Sequence, residues 1–425
     1  MYRSLLSCTA LASALLTNAQ TQVHQVVVLS EGRYDYTNSV QLIPVTLGSY
    51  DPVLGSYAEV ATIPYARFGN DVKVENEVIY VSADSFLLKY DANTYALLDQ
   101  EVVHGIRRIA LWNDQILVTR GEFGGLSHYF EVRDKNSFDL LYTLDPADGI
   151  IYSCEAVEVL DGKAYVSMNN GFDYPNYTNF VGVVDLASQT FETPIDLGPD
   201  GYNPEHLMAW EGSIYAFNNK DYTGSSISRI DPASSALLST INVAFTSGCG
   251  TSTAAEGKIY YLEYSVNQLA RFDLANELVL DTLNNGLSAY GVLDDPINGI
   301  MYVSTTDFTS TGTLYTASYD GVIMGNVGIG VSAGKMALDV RTNTGLVEVE
   351  AEGISLYPNP AAEEVFFHLP TVAKVNVDLV DATGRSVRSI AASSGATQRI
   401  YIADLAPGCY TLRAAGFAPA RFTKR

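Results

Sequence analysis

Five histidines are the first place to look for chemistry: His24, His104, His128, His206 and His368. None stands at the spacing of a metal-ligand pair, and no CxxC accompanies them, so no metal and no other cofactor is expected. His206 follows Glu205 directly, and an imidazole beside a carboxylate is the raw material of general acid/base catalysis. Adjacent residues on a strand face opposite ways, so the two can cooperate only where the backbone bends. Gly328-Ile329-Gly330 with Gly334 imitates a dinucleotide fingerprint, but its spacing is wrong and no βαβ unit surrounds it. No G-x-S-x-G is present. Catalysis has little to stand on, and the expectation is a binding protein rather than an enzyme.

Binding has more support. Arg67, Arg107, Arg108, Glu155, Glu205 and His206 fall in segments that read as loops between strands. So do Tyr152, Tyr174, Tyr177, Tyr202, Tyr222 and Tyr290. Tyrosine offers a large contact area, a polar tip and a low entropy cost, and charged groups among such rings suit a polar organic ligand. A glycan, a peptide or a corrinoid-like molecule fits that chemistry.

The elements that hold these loops follow from composition and period. The chain has 425 residues, 47% apolar and only 17% charged, which suits a large core. It holds 28 Tyr and 34 Gly, which favour strands and turns and make an all-β protein the expected class. The net charge of −23 lacks the cationic footprint that nucleic acid requires and disfavours adsorption to an anionic membrane. Residues 351–425 hold eight Lys/Arg and six Asp/Glu, so the acidic excess lies in residues 1–350.

One strand pattern recurs every 37 to 50 residues: Val78-Ile79-Tyr80-Val81, Gln115-Ile116-Leu117-Val118, Lys163-Ala164-Tyr165-Val166, Ser213-Ile214-Tyr215-Ala216, Lys258-Ile259-Tyr260-Tyr261 and Ile300-Met301-Tyr302-Val303. Later in each repeat an Asp follows an apolar strand: Asp51, Asp91, Asp134, Asp185, Asp231, Asp273 and Asp320. Seven anchors at this spacing predict seven four-stranded propeller blades, with each Asp capping a turn. Two-residue turn signals recur at Asp161-Gly162, Glu211-Gly212, Glu256-Gly257 and Asn298-Gly299. Blade one is expected to take strands at residues 24–29, 40–47 and 57–63, with its inner strand supplied by residues 334–340 from the far end. That closure removes an exposed edge. Ile79-Tyr80-Val81-Ser82 followed by Lys89-Tyr90-Asp91-Ala92-Asn93-Thr94 resembles the YVTN-type propeller family, over roughly residues 22–345. Relatives of this type include surface propellers that capture cobalamin, so the resemblance implies nutrient capture as one role. In propellers the loops from fourth to first strands and from second to third strands converge at one end of the channel. Those are the loops that carry the charged and aromatic candidates. Cys154 and Cys249 occupy equivalent positions in blades four and six, with one blade between them, and are expected to be free thiols.

The character of the chain changes after Val340. Residues 346–353 read as a linker, and residues 354–425 as a small β-sandwich. Leu356-Tyr357-Pro358-Asn359-Pro360 opens this module, Val377–Arg385 supplies a strand and turn through Gly384, and Leu405–Leu412 carries Gly408 and Tyr410. With the basic end Arg421–Arg425, these segments resemble the type A sorting domain of the type IX secretion system of Bacteroidota. The resemblance implies recognition by that machinery, export across the outer membrane, and removal of the module. At the other end, Arg3, the apolar run Leu5–Leu16 and Thr17-Asn18-Ala19 read as a Sec signal peptide cleaved after residue 19. The expected product is a monomeric, secreted or cell-surface propeller. It binds a small molecule, glycan or peptide at the channel mouth. The alternatives are a lyase or hydrolase using Glu205, His206 and Arg107/Arg108, and an adhesion scaffold.

Overall fold

The computed structural model describes residues 20–220, 224–243, 247–343, 353–369, 374–393, 397–414, 417 and 419–425. Its contacts divide the chain into one unit of Gln20–Asn343 and a second that includes Thr344–Arg425. The described residues form strands and turns and no helix.

The larger unit is a seven-bladed β-propeller. Six sheets run from an inner to an outer strand in chain order, with inner strands Gly69–Glu75, Ile106–Trp112, Val157–Leu160, Pro204–Trp210, Ser247–Ala255 and Gly291–Asp295. The seventh, blade one, breaks the order: Ala333–Asn343 pairs with Gln20–Ser30, followed by Val45–Asp51 and Ser56–Ile63. The seven inner strands touch one another in cyclic order, which closes the ring. The closing pair extends beyond the expected 334–340, from Gln20 opposite Asn343 to Ser30 opposite Ala333.

The recurring sequence pattern is the second strand of each blade. Val78–Ala83, Lys163–Met168, Ser213–Asn218 and Lys258–Glu263 are buried along almost their whole length, because a neighbouring blade covers each face. Tyr165, Tyr260 and Tyr302 have no exposed surface, so the anchor tyrosines are core residues. The outer strand of blade two, Leu97–Val102, is almost wholly exposed by comparison. Asp161-Gly162, Glu211-Gly212 and Glu256-Gly257 all take positive φ, the two-residue turn that matches strand twist.

Four local expectations are corrected. Val40–Leu47 is not one strand. Pro44, which has no N–H to donate, separates Val40–Ile43, hairpinned with Arg33–Asp35, from Val45–Asp51. The outer strand of blade four is two short pieces, Thr190–Phe191 and Ile195–Asp196, both paired with Phe180–Asp185. Asn298-Gly299 ends a longer loop in which Asp295 accepts the Ile297 and Asn298 amides. The Asp anchors Asp51, Asp91, Asp134, Asp185, Asp231 and Asp273 cap their turns through backbone amides two or three residues on. Asp320 instead accepts Arg271 at 3.1 Å.

A glutamine locks the ring closure. Gln25, 3% exposed, donates to Asp339 (2.9 Å) and to the Ala92 carbonyl (2.7 Å), and accepts from Ser49 and Tyr95. All four of its hydrogen-bonding positions are filled.

The C-terminal unit is a small sandwich. Ser355–Tyr357, Glu364–His368 and Gln398–Tyr401 form one sheet, and Ser386–Ser393, Lys374–Val380, Gly408–Ala414 and Ala420–Lys424 the other. Val365, Phe367, Val377, Leu379, Leu412 and Phe422 fill the space between. Asn359, between Pro358 and Pro360, accepts the Thr423 amide and donates to the Arg421 carbonyl. Gly384 takes φ +87° in the turn after Asp381. Tyr410, two residues after Gly408, stacks on Phe422 and donates to the Ala406 carbonyl at 2.8 Å.

Candidate functional site

A cavity of about 570 Å3 opens at one end of the propeller channel, lined by residues of the predicted loops. The inner strands are bulged where they reach it. Asn70 is the extra residue between Gly69 and Asp71, and Glu205 between Pro204 and His206. Arg107 and Arg108 together face Thr119, and Gly334 is the extra residue between Ala333 and Lys335. In blade four, the Glu155 amide and Ala156 carbonyl both bond Ser167, again two residues against one. A bulge turns a side chain from one face of its strand to the other. This is how Glu205 and His206, adjacent in sequence, both reach the cavity.

Glu155 is the electrostatic centre. Its carboxylate takes Arg107 Nε at 2.7 Å and an Arg108 guanidinium nitrogen at 3.0 Å. Burial alone would raise its pKa, but Arg107 and Arg108 hold it down at about 2. Arg107 also lies over the Phe172 ring, 5.1 Å from its centroid. Arg67 makes a two-pronged pair with Asp84. Burial pushes Glu31 upward against the pull of its 2.7 Å bond from Tyr290. His206 shares a 2.9 Å hydrogen bond with Ser252; burial, with Lys335 and Arg108 nearby, pushes it well below the usual histidine range. It is therefore neutral at pH 7. Asn219 donates to Glu205 at 2.7 Å.

A second, deeper cavity of about 180 Å3 shares Arg108, Glu205, His206, Gly334 and Lys335 with the first. These residues form the neck between the two chambers. Burial, then the nearby Arg108, pushes the Lys335 ammonium down to about 8.

Of the candidates, Arg67, Arg107, Arg108, Glu155, Glu205, His206 and Tyr290 line the outer cavity together. Tyr152, Tyr174, Tyr177 and Tyr202 do not. Tyr152 stacks on Phe180 against the core of blades three and four. Tyr174, Tyr177 and Tyr202 form an edge-to-face chain to one side. Tyr222 lies outside the described residues, as does the side chain of Cys249; Cys154 is a buried free thiol. Glu31, Asp84 and Lys335 also line the cavity, beyond the residues that the sequence pattern marks. Lys335 had a signal: it is a lone cation on the strand expected to close the ring, and every inner strand borders the channel. Among the described residues no group of three or more His, Cys, Asp or Glu could hold a metal ion.

Residues 355–418 match the family described as secretion system C-terminal sorting domain. The C-terminal unit is therefore a type IX sorting domain, and the protein is exported to the cell surface or secreted. No curated protein is similar to the chain. Among solved structures it is similar to the extracellular domain of a one-component system from B. thetaiotaomicron (12% identity, TM-score 0.48, 94% of this chain and 57% of that one). It thus spans just over half the length of that domain. BamB from Moraxella catarrhalis is also similar (12% identity, TM-score 0.42, 70% of this chain and 84% of that one). The propeller assignment rests on the chain's own sheet order.

Proposed function

We propose that the propeller is a non-catalytic binding protein that takes a small polar organic molecule, or the end of a glycan or peptide, into the channel mouth. The observation that carries this is the cavity of about 570 Å3, within the usual size of ligand sites, on whose wall charged groups and aromatic rings from several blades converge. The rings are paired: Phe123, also on the cavity wall, packs edge-on against Phe172, and Phe308 against Tyr290. Export fits capture of a nutrient, with corrinoids one class to test. In this reading the N-terminal residues are a Sec signal peptide, the blades are of YVTN type and the protein acts as a monomer.

The test is a thermal-shift screen of the whole chain against glycans, short peptides and corrinoids, followed by turnover assays on each hit. A hit whose shift disappears in Phe172→Ala supports the site. A hit indifferent to Phe172→Ala and Arg107→Ala contradicts it.

The bulge at Glu205 favours one second reading, an enzyme. It puts a carboxylate and a neutral imidazole in one cavity, the pair that a lyase or hydrolase would use as base and acid. Turnover lost in His206→Ala would establish that reading; binding without turnover, unchanged in His206→Ala, excludes it. Retained adhesion with no small-molecule hit would favour the scaffold.

A further inference from the structure

Four cations line the outer cavity, and three are already answered by the protein. Arg67 is paired with Asp84, and Arg107 and Arg108 share Glu155. Lys335 differs. Among the described residues its ammonium makes no hydrogen bond and no ion pair, although it stands at the neck where both chambers meet. We propose that Lys335 is the anion receptor of the channel, and that the ligand carries a carboxylate which pairs with this ammonium while an apolar face of the ligand lies against Phe172. The proposal deepens the binding function above and rests on it.

The surroundings select a single negative charge. Around Lys335 stand Glu31 of blade one, Asp71 and Lys73 of blade two, Arg108 of blade three, Glu155 and Glu158 of blade four, Glu205 and His206 of blade five, and Tyr290 before blade seven; burial pushes Glu158 toward its protonated form. Asp71 is turned to the Ile109 amide and to Lys73, at 3.2 and 3.6 Å. His206 is neutral, Glu31 is pushed toward its protonated form, and Glu155 is spent on two arginines. A dianion such as phosphate would meet the carboxyl groups of Glu205 and Glu31 with one free cation to hold it. A monoanion meets one cation with one charge. Phe172 is fixed for the rest of the ligand: Asn169, held by Asn203, accepts the Gly171 amide just before it, and Gly121 leaves the room its ring occupies. A Cβ on Gly121 would come within 2.5 Å of that ring.

Binding should therefore carry a proton signature. An anion beside Lys335 favours the charged amine and draws its proton on more tightly. The experiment is calorimetric titration of the whole chain with hippurate and glucuronate, each beside its neutral amide. The two acids share the carboxylate and distinguish an aromatic from a sugar body. The expected result is binding of at least one acid, at least tenfold weaker binding of its amide, and uptake of about half a proton at pH 8. Lys335→Met should bring acid and amide to equal affinity while keeping the fold. Lys335→Arg should keep the preference for the acid and lose the proton uptake. Equal binding of acid and amide by the unmutated chain, or an acid preference that survives Lys335→Met, overturns the proposal and leaves channel binding standing. So does binding of neutral glycans or corrinoids alone. Failure of every compound in both screens removes the binding function itself.

Discussion

Glu155 concentrates the electrostatics of the channel in one side chain. Two guanidinium groups depend on it, and the cluster is mostly shielded from solvent. Glu155→Ala leaves both arginines without their counter-charge, although Arg108 keeps its bond to the Asn70 carbonyl, and breaking such a pair costs about 3–5 kcal/mol. Urea unfolding should show that loss as a lower midpoint with an unchanged slope. Lys335 should behave in the opposite sense. Its amine is pushed down to about 8 in the fold, against roughly 10.4 in an unfolded chain. Below pH 8 both states hold the proton, so the folded protein carries the whole penalty of a charge it disfavours. Between pH 8 and about 10.4 the folded state sheds the proton first, and the penalty is relieved as pH rises. Lys335→Met should therefore stabilise the protein by about 2–3 kcal/mol at pH 7, and the gain should shrink above pH 8. A ligand-free thermal melt series from pH 6 to 10 reads this directly. A destabilised Lys335→Met variant at pH 7 would mean that the amine has a partner in the protein.

At the scale of elements, the site is a property of bulges. A regular inner strand would send its residues alternately to the two faces of its sheet, toward one neighbouring blade and then the other. The extra residues Asn70, Glu205 and Gly334 shift that alternation at the mouth, so consecutive polar side chains reach one cavity. Gly334 also lets the closing strand pass Tyr290, since a Cβ there would sit 2.7 Å from the ring. Gly334→Ala should displace Tyr290 and break its bond to Glu31, costing about 1–3 kcal/mol as overpacking does, and weakening any ligand of the outer cavity. Binding and melting measured on the same variant check both parts. The ring lock is independent of the mouth. Gln25→Leu leaves Asp339, Ser49 and Tyr95 without a shared partner, and one buried group left unsatisfied costs about 1–3 kcal/mol. Its expected mark is faster exchange of the backbone amides along Gln20–Ser30.

At the scale of the molecule, address and activity are carried by different units. The sorting domain directs export, and the propeller holds the cavity. Deleting residues 354–425 should leave the propeller inside the outer membrane, read by fractionation and surface labelling; normal surface delivery of the truncated chain would contradict the sorting role. The propeller should still melt cooperatively, because its ring is closed by its own strands.

Both units are legible in the sequence, each through local chemistry. The sorting module was readable because its identifying residues are its turns, and turn chemistry is local: Asn359 between two prolines, Gly384 at positive φ, Gly408 two residues before Tyr410. The blades were readable for a similar reason. A strand covered on both faces is apolar through its middle, so Ile79-Tyr80-Val81 and its repeats announce second strands wherever they occur. Local chemistry also explains where the structure departs from the pattern, as where Pro44 divides a strand that apolar content alone would join. The sequence by itself determined seven blades, ring closure by the far end of the propeller segment, and an export label. Only the tertiary structure decided which side chains share the cavity, because that depends on one-residue bulges and on strands from opposite ends of the propeller. Tyr174 and Tyr177 look like binding residues in sequence and pack aside; Lys335 looks like one charge on a strand and stands at the neck. Burial, partner and neighbouring charge give a side chain its chemistry, and for Glu155 and Lys335 the neighbouring charges come from other blades.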